Sequence, residues 1–437
     1  SSRCAQTLWP FEITLSTSRA HHNQMSSAGS QTASASSTDK EDTWFWDWDA
    51  EIAAVSPSHK ELQQTIRRFV DEELLPNIAD WEESGTFPRD LHERSYRAGV
   101  YGVGWPSEYG GTAPLNPDTW HKFILNDELA RCCAGGLNAS LFTHGISLPP
   151  ILALGSQEQK AKYAPDIICG RKTCSLAITE PNGGSDVAGM QTVAKREGDE
   201  YVIDGVKTFI SGGMNADYFT VGARTGGQGL MGISLFMVHR DYPGVTTTRL
   251  NTQGWHCSTT TTVAFDGVRV PKENMLGQEN AGFLPIMLNF NSERYGMAVG
   301  ACRMARCCIE DAIKYARVRK TFGRPLIGHQ VIRHKVAEMV RHVLATHGMV
   351  TNITRAIQDG GDMGRTSGQL ALAKVQATRT LEFCAREASQ ILGGKAYLRG
   401  GGPGSRIERC YREVRVFAIG GGSEEIMLEL ATRQAKL

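Results

Sequence analysis

The most informative loop of this chain reads Thr179-Glu180-Pro181-Asn182-Gly183-Gly184-Ser185-Asp186-Val187-Ala188-Gly189. It follows a short apolar run, Ser175-Leu176-Ala177-Ile178, that is typical of a strand. Glycines let backbone N–H groups approach a ligand closely, and Thr179, Ser185 and Asp186 can donate to or accept from polar atoms, which suits a phosphate-bearing cofactor. An ordinary β-turn has the same composition, so this loop alone leaves both interpretations open.

The length and charge of the chain bound its functional class. At 437 residues it should form two or three domains with ample core. The 47 lysines and arginines balance the 46 aspartates and glutamates, so net charge gives no support for a nucleic-acid partner or a membrane-surface role. No apolar stretch approaches the length of a membrane span. We therefore expect no nucleic acid and no membrane span.

The eleven cysteines are scattered and odd in number, with adjacent pairs at Cys132-Cys133 and Cys307-Cys308. No CxxC motif is matched by a second one or by spaced histidines. This pattern predicts reduced, mostly buried thiols and no metal site.

The pattern of polarity divides the chain into a tail and three regions. Residues 1–45 differ in composition from the rest and are expected to form a disordered or targeting tail. Residues 46–171 predict a helical domain, since apolar side chains between Ser58 and Glu83 recur at three- and four-residue steps. Short strands with turn signals over 172–280 predict an antiparallel β domain, and 281–437 returns to long helices. This order excludes a doubly wound fold.

Two motifs in the β region need separate interpretation. Asp204-Gly205, between Tyr201-Val202-Ile203 and Lys207-Thr208-Phe209-Ile210, predicts a hairpin turn. Gly227-Gln228-Gly229-Leu230-Met231-Gly232 matches GxGxxG by letter, but strands are predicted on both sides and no helix follows. We therefore reject it as a dinucleotide fingerprint.

The two ends of the chain bear on localisation. The segment Ser1 to Lys40 is rich in serine, alanine and threonine, contains Arg3 and Arg19, and is poor in acids, as in a mitochondrial transit peptide or a disordered tail. Ala435-Lys436-Leu437 is a conservative variant of the Ser-Lys-Leu peroxisomal address. We expect a peroxisome or the mitochondrial matrix, and the sequence does not decide between them.

Several motifs together make the chain resemble the acyl-CoA dehydrogenase flavoproteins from about Ser58 to the C-terminus. Besides the opening loop they are Gly205-Val206-Lys207-Thr208-Phe209-Ile210-Ser211, Arg319-Lys320-Thr321-Phe322-Gly323 followed by Gln330, and Gln390-Ile391-Leu392-Gly393-Gly394. The resemblance implies an α+β chain with an N-terminal helical domain, a central antiparallel β domain and a C-terminal four-helix bundle. It also implies FAD bound without a Rossmann motif, and a homotetramer.

The resemblance assigns the flavin contacts residue by residue. Phe209 and Ser211 would lie against the isoalloxazine ring, where Phe209 replaces the usual tryptophan but keeps a flat apolar face. Arg319 suits a pyrophosphate because its planar fork can pair two oxygens. Further positions implied in FAD binding are Ile178, Thr179 and Ser185, which would face the flavin and its pyrophosphate, and Ser423. Thr321, Phe322, Gln390 and Gly394, with Arg319, would reach FAD across a subunit interface.

The catalytic base is where the chain departs from most of the family. The late loop Ile419-Gly420-Gly421-Gly422-Ser423 has Gly421 where a glutamate is usual. A minority of the family, similar to isovaleryl-CoA and long-chain dehydrogenases, carries the base on the first long helix of the C-terminal domain. Glu293 stands at that position, within Phe290-Asn291-Ser292-Glu293-Arg294. The resemblance thus implies Glu293 as base, a role for the Gly421 backbone N–H, and substrate contacts from Phe290, Asn291 and Arg294.

The implied reaction introduces a trans 2,3 double bond into a fatty or branched acyl-CoA. Glu293 would take the α-proton while flavin N5 accepts the β-hydrogen as hydride, and Glu180 would be structural. The implied electron acceptor is electron-transferring flavoprotein or another carrier. A flavin- or acyl-CoA-binding protein that has lost catalysis, and an oxygen-using acyl-CoA oxidase, remain alternatives, although most oxidases are longer and keep the loop carboxylate.

Overall fold

The computed structural model describes residues 56–114 and 116–437, so the predicted tail at residues 1–45 lies outside the described residues. The first part of the described chain is helical. Its helices are α1 (Pro57–Phe69), α2 (Ile78–Ser84), α3 (Leu91–Arg97), α4 (Thr119–Leu129), α5 (Gly135–Leu141), α6 (His144–Leu154) and α7 (Gln157–Ile168).

Local capping sets where these helices begin. Ser56 accepts a hydrogen bond from the backbone N–H of His59, and Pro57 occupies the first turn of α1, where no backbone donor is needed. Asp118 and His121 form a reciprocal capping box that starts α4. The region predicted to be helical from Ser58 to Glu83 is interrupted, because a π-helical turn at Val70–Leu74 separates α1 from α2.

A mixed sheet follows the helices. Its strands are β1 (Cys174–Ala177), β2 (Val193–Glu197), β3 (Glu200–Ile210), β4 (Tyr218–Arg224), β5 (Ile233–His239), β6 (Val245–Arg249), β7 (Thr261–Pro271) and β8 (Met275–Leu276). They run in the order β6-β7-β3-β2-β4-β5-β8, and β1 pairs with β4 in parallel. Most other neighbours are antiparallel, as predicted.

The hairpin predicted at Asp204-Gly205 is wrong. Strand β3 continues through both residues, with a shift of register against β7, and Asp204 Oδ1 accepts the backbone N–H of Gly267 at 2.7 Å. A Cβ on Gly205 would lie 2.5 Å from Thr192 Oγ1, so this glycine permits close strand approach. The two-residue turn lies instead at 198–199, between β2 and β3.

The sheet packs against the helices through a continuous apolar layer. Leu148 of α6, Ile167 of α7, Leu235 of β5 and Ile286 belong to one buried cluster. Ser147 Oγ also donates to the carbonyl of Cys174 at 2.7 Å, which ties α6 to β1. The loop that follows β1 is thereby held between the helical region and the sheet.

The last part of the described chain is helical again, so the predicted order of helical, β and helical domains is confirmed. Its elements are α8 (Phe283–Val318), β9 (Lys320–Thr321), β10 (Arg324–Pro325), α9 (Gln330–Gln358), α10 (Ser367–Leu392), α11 (Ser405–Ile419) and α12 (Glu424–Gln434). Helix α10 packs against α8, α9, α11 and α12 and forms the centre of this region.

One apolar stretch of the described residues departs from expectation. The 20 residues Gly135–Leu154 are long and apolar enough to cross a membrane by length and composition, so the prediction that no stretch approaches that length is wrong. Half of the stretch is buried within the protein, and α5 and α6 divide it, with Pro149 and Pro150 inside α6. Such a feature is common in core helices, and the absence of a membrane span stays a prediction.

Candidate functional site

The loop after β1 is tied directly to the end of β3. The carbonyl of Ile178 accepts Lys207 Nζ at 3.0 Å, and the carbonyl of Thr179 accepts the N–H of Thr208 at 2.9 Å. Ser175 Oγ donates to the carbonyl of Ser211 at 2.8 Å. The structure therefore brings Ile178 and Thr179 beside the strand end that carries Phe209 and Ser211.

Glu180 is fixed inside this loop as a structural carboxylate. Its Oε1 accepts Lys207 Nζ at 2.7 Å and the N–H of Thr192 at 2.8 Å, while Oε2 accepts the N–H of Gln191 at 2.7 Å. Burial opposes its ionisation, but Lys207 and the backbone donors outweigh it and lower the pKa of Glu180. A carboxylate with these partners is poorly placed to accept a substrate proton.

Phe209 presents an exposed ring at a strained backbone position. Its φ is +58°, in the left-handed region that bulky residues avoid, and the residue is 66% exposed. Such strain concentrates at functional sites, where the surrounding structure holds it. Ser185 is also exposed, and a Cβ on Gly184 would meet only Thr179 Cγ2, at 3.7 Å. An open apolar ring beside a backbone-accessible polar loop fits a flavin and its pyrophosphate.

The second group of predicted flavin residues lies on the C-terminal helices. Phe322, on the β9–β10 turn, has a φ of +49° and is 97% exposed. Arg319, Gln390 and Gly394 are exposed as well, and Thr321 Oγ1 bonds His329 Nε2 at 3.1 Å. None of the hydrogen bonds or ring contacts within residues 56–114 and 116–437 joins this group to Phe209 or the loop after β1. An arrangement in which the group serves the flavin of another subunit accounts for this separation, and it stays a prediction.

Glu293 and Gly421 converge in space although they lie far apart in the chain. A Cβ built on Gly421 would be 3.8 Å from the carboxyl carbon of Glu293 and 3.1 Å from Met297 Sδ. The φ of Gly421 is +65°, and the described part of the chain offers no acceptor for its backbone N–H. The carboxyl group of Glu293 therefore lies beside the backbone of Gly421, whose N–H is not bonded within the described residues.

Glu293 is half-buried. Burial raises the pKa of Glu293, and the positive charges of Arg294 and Lys374 offset part of this effect. A carboxylate with a raised pKa is a stronger proton acceptor than an ordinary surface glutamate.

The three predicted substrate residues near Glu293 are largely engaged within the protein. Arg294 is 7% exposed, and it donates through Nε to the carbonyl of Gly421 at 2.9 Å and through Nη1 to Asn291 Oδ1 at 2.9 Å. Phe290 is partly buried, with its ring centroid 6.0 Å from Arg294 Cζ. Arg294 thus holds the backbone of residues 420–422, the glycine turn. Substrate contact by Phe290, Asn291 and Arg294 stays a prediction.

Sequence reasoning missed Lys374, whose Nζ donates to the carbonyls of Ala418 and Gly422 at 2.8 Å each. A signal was available, because Lys374 occupies the helical position between Leu370 and Thr378 where apolar residues recur. Ser423, predicted to contact the flavin, is partly buried at the N-cap of α12.

One cluster outside this site combines potential metal ligands. Donor atoms of His59, Asp118 and His121 lie within 4.8 Å of one another. Each histidine also bonds a serine hydroxyl, His59 to Ser56 at 2.6 Å and His121 to Ser58 at 3.1 Å, and the cluster caps α4. The absence of a metal site stays a prediction.

Comparison with known proteins follows the same three-part division. Family models for the N-terminal, middle and C-terminal domains of acyl-CoA dehydrogenases match residues 56–171, 175–268 and 280–436. Acyl-CoA dehydrogenase AFT10-1 of Alternaria alternata is 37% identical over 394 residues, 86% of this chain and 91% of its own. The mitochondrial isobutyryl-CoA dehydrogenase of Bos taurus is 32% identical over 380 residues, covering 87% and 89%.

A solved structure gives the same result. The crystal structure of a probable acyl-CoA dehydrogenase from Mycobacterium abscessus superposes with a TM-score of 0.83 at 40% identity, covering 88% of this chain and all of that one. A three-domain match and relatives of this identity leave one assignment. The chain belongs to the FAD-dependent acyl-CoA dehydrogenases.

Proposed function

We propose that this protein introduces a trans 2,3 double bond into a fatty or branched acyl-CoA, with Glu293 as the base. The observation that carries the proposal is the 3.8 Å between the Glu293 carboxyl carbon and the position of a Cβ on Gly421. The carboxyl group thus lies beside the loop in which most of the family carries its glutamate.

In this proposal, two groups of the chain act directly on the substrate. Glu293 accepts the proton as the α-C–H bond breaks, and the N–H of Gly421 donates to the thioester carbonyl oxygen, on which enolate charge develops. Arg294 keeps the turn in place by bonding the carbonyl of Gly421. When bound, FAD supplies the acceptor for the β-hydrogen, which leaves as hydride. Phe209, Thr179 and Ser185 would hold the cofactor from one subunit.

Three further features of the proposal concern the oligomeric assembly, the electron acceptor and the localisation. A homotetramer would bring Arg319 and Phe322 of one subunit to the flavin of another, and the exposure of both side chains supports this. Electron-transferring flavoprotein is the proposed electron acceptor. A fluorescent fusion of the full chain tests the predicted peroxisomal or mitochondrial location.

Anaerobic addition of acyl-CoA to the FAD-loaded protein tests the function. We expect the flavin absorbance to bleach and a 2-enoyl-CoA to form, with straight-chain and branched thioesters compared in parallel. The relative named isobutyryl-CoA dehydrogenase makes short branched thioesters the first to try. Absence of bleaching with every thioester would support the non-catalytic alternative. Rapid reoxidation by oxygen with release of hydrogen peroxide would support the oxidase.

The raised pKa of Glu293 predicts the pH dependence of flavin reduction. The base acts as a carboxylate, so the rate should rise with pH as Glu293 loses its proton. Because burial raises this pKa, the acidic limb of the pH–rate profile should have its midpoint at a higher pH than the usual pKa of a glutamate. Single-turnover reduction measured from acidic to neutral pH, with an acyl-CoA whose acyl group does not titrate, checks this. A rate that is flat down to the usual glutamate pKa would contradict the assignment of Glu293.

A further inference from the structure

Lys374 is a buried cation at the back of the glycine turn. Its side chain is 0% exposed, although lysine is rarely buried without a partner. Two of its three donors are directed to the carbonyls of Ala418 and Gly422, at 2.8 Å each. These carbonyls lie on either side of Gly421, so one ammonium group spans the turn that carries the proposed oxyanion donor.

The turn needs such a restraint because its backbone is unusual. Gly421 and Gly422 have φ values of +65° and +114°, and glycine loses more conformational freedom on ordering than any other residue. Arg294 binds the carbonyl of Gly421 from α8, and Lys374 binds the carbonyl of Gly422 from α10. The two cations thus hold the two peptide groups that follow Gly421, and Lys374 also holds the carbonyl of Ala418 before it. The backbone is therefore restrained on both sides of the Gly421 N–H.

The charge of Lys374 also acts on the proposed base. The charges of Glu293 and Arg294 on α8 and of Glu424 and Glu425 on α12 act on the ammonium electrostatically. Burial lowers the pKa of Lys374 to about 8, with Glu293 as the largest opposing influence. In turn, Lys374 lowers the pKa of Glu293 against the effect of burial. The lysine therefore favours the ionised form of Glu293, which is the form that accepts a proton.

We propose that Lys374 is a positioning residue for dehydrogenation: its ammonium orients the Gly421 N–H toward the thioester carbonyl, and its charge keeps Glu293 ionised. This inference rests on the proposed role of Glu293. It assigns two separable tasks to one side chain, and the substitutions that test it separate them. Lys374→Gln keeps hydrogen-bond donors and removes the charge, Lys374→Met removes both, and Lys374→Arg keeps both.

The test measures single-turnover flavin reduction against pH in FAD-loaded variants. In Lys374→Gln the acidic limb should move to higher pH by on the order of one unit, because an opposite charge near Glu293 is lost. Lys374→Met should show this shift and also a lower limiting rate at high pH. Lys374→Arg should return the limb toward its wild-type position. Lys195→Met, at an exposed lysine of β2, serves as control and should behave as wild type.

Flavin absorbance and circular dichroism establish that each variant is folded and loaded. If Lys374→Met does not fold, Lys374→Gln and Lys374→Arg still decide the question through the position of the limb. A Lys374→Gln enzyme with the wild-type limb and limiting rate would overturn the proposal. Failure of the wild-type protein to be reduced by any acyl thioester would instead refute the proposed function itself.

Discussion

Glu293→Gln should abolish reduction of bound FAD by an acyl thioester while the flavin stays in place. Glutamine has nearly the same shape, so the packing around position 293 need not change, but its amide is not a useful proton acceptor. A positioned base contributes about 10²–10⁴-fold to a proton transfer, and we expect a loss of at least this order. Anaerobic stopped-flow measurement of flavin absorbance gives the rate directly.

A matched control for this substitution lies on the same helix. Glu310 is a partly exposed glutamate of α8, far from the glycine turn in sequence. Glu310→Gln should leave the rate within about twofold of wild type, as for most surface changes. Reduction of Glu293→Gln at the wild-type rate would mean that another group takes the proton.

Glu180→Ala should cause the largest loss of stability among substitutions near the flavin loop. The change leaves the ammonium of Lys207, which is 0% exposed, with the carbonyl of Ile178 as its remaining partner. Removing one member of a buried ion pair typically costs about 3–5 kcal/mol, since the other charge stays buried. Urea unfolding followed by tryptophan fluorescence measures the loss. We also expect weaker retention of FAD, because the freed loop carries Thr179.

Two comparisons separate this structural role from a catalytic one. Glu197→Ala removes an exposed pair with Arg269, 3.0 Å apart, and should cost no more than about 1 kcal/mol. Glu180→Gln, where it folds and binds FAD, should still be reduced by substrate at a rate near wild type. If substrate does not reduce the FAD that is bound to Glu180→Gln, Glu180 is the group that accepts the proton.

The order of domains could be predicted from sequence because it depends on local periodicity and on motifs that lie close together in the chain. The Asp204-Gly205 hairpin could not, since a turn signal describes two residues and the structure is decided by their neighbours. Gly205 is needed where β3 passes within contact of Thr192, the residue just before β2. The dipeptide Asp-Gly can therefore form a turn in one structural context and permit close backbone packing in another.

The candidate site shows the same limit at the level of single side chains. Family motifs indicated that Glu293 and Gly421 were relevant, but their proximity depends on the packing of α8 against the turn after α11. The partners of Glu180 were likewise out of reach, because Lys207 follows it by 27 positions. Lys374 differs from these residues because its own sequence neighbourhood held a signal that was missed. A lysine in an apolar helical stripe indicates that a buried polar network is present.

The convergence of Glu293 with Gly421 affects how enzymes of this kind are found and engineered. A motif search that requires a glutamate in the late loop would discard this chain as inactive, whereas a search by three-dimensional position would keep it. Moving the carboxylate into the loop would require more than exchanging the residues at positions 293 and 421. A side chain at 421 would start 3.1 Å from Met297 Sδ and at a φ of +65°, so a smaller residue at 297 would have to accompany it.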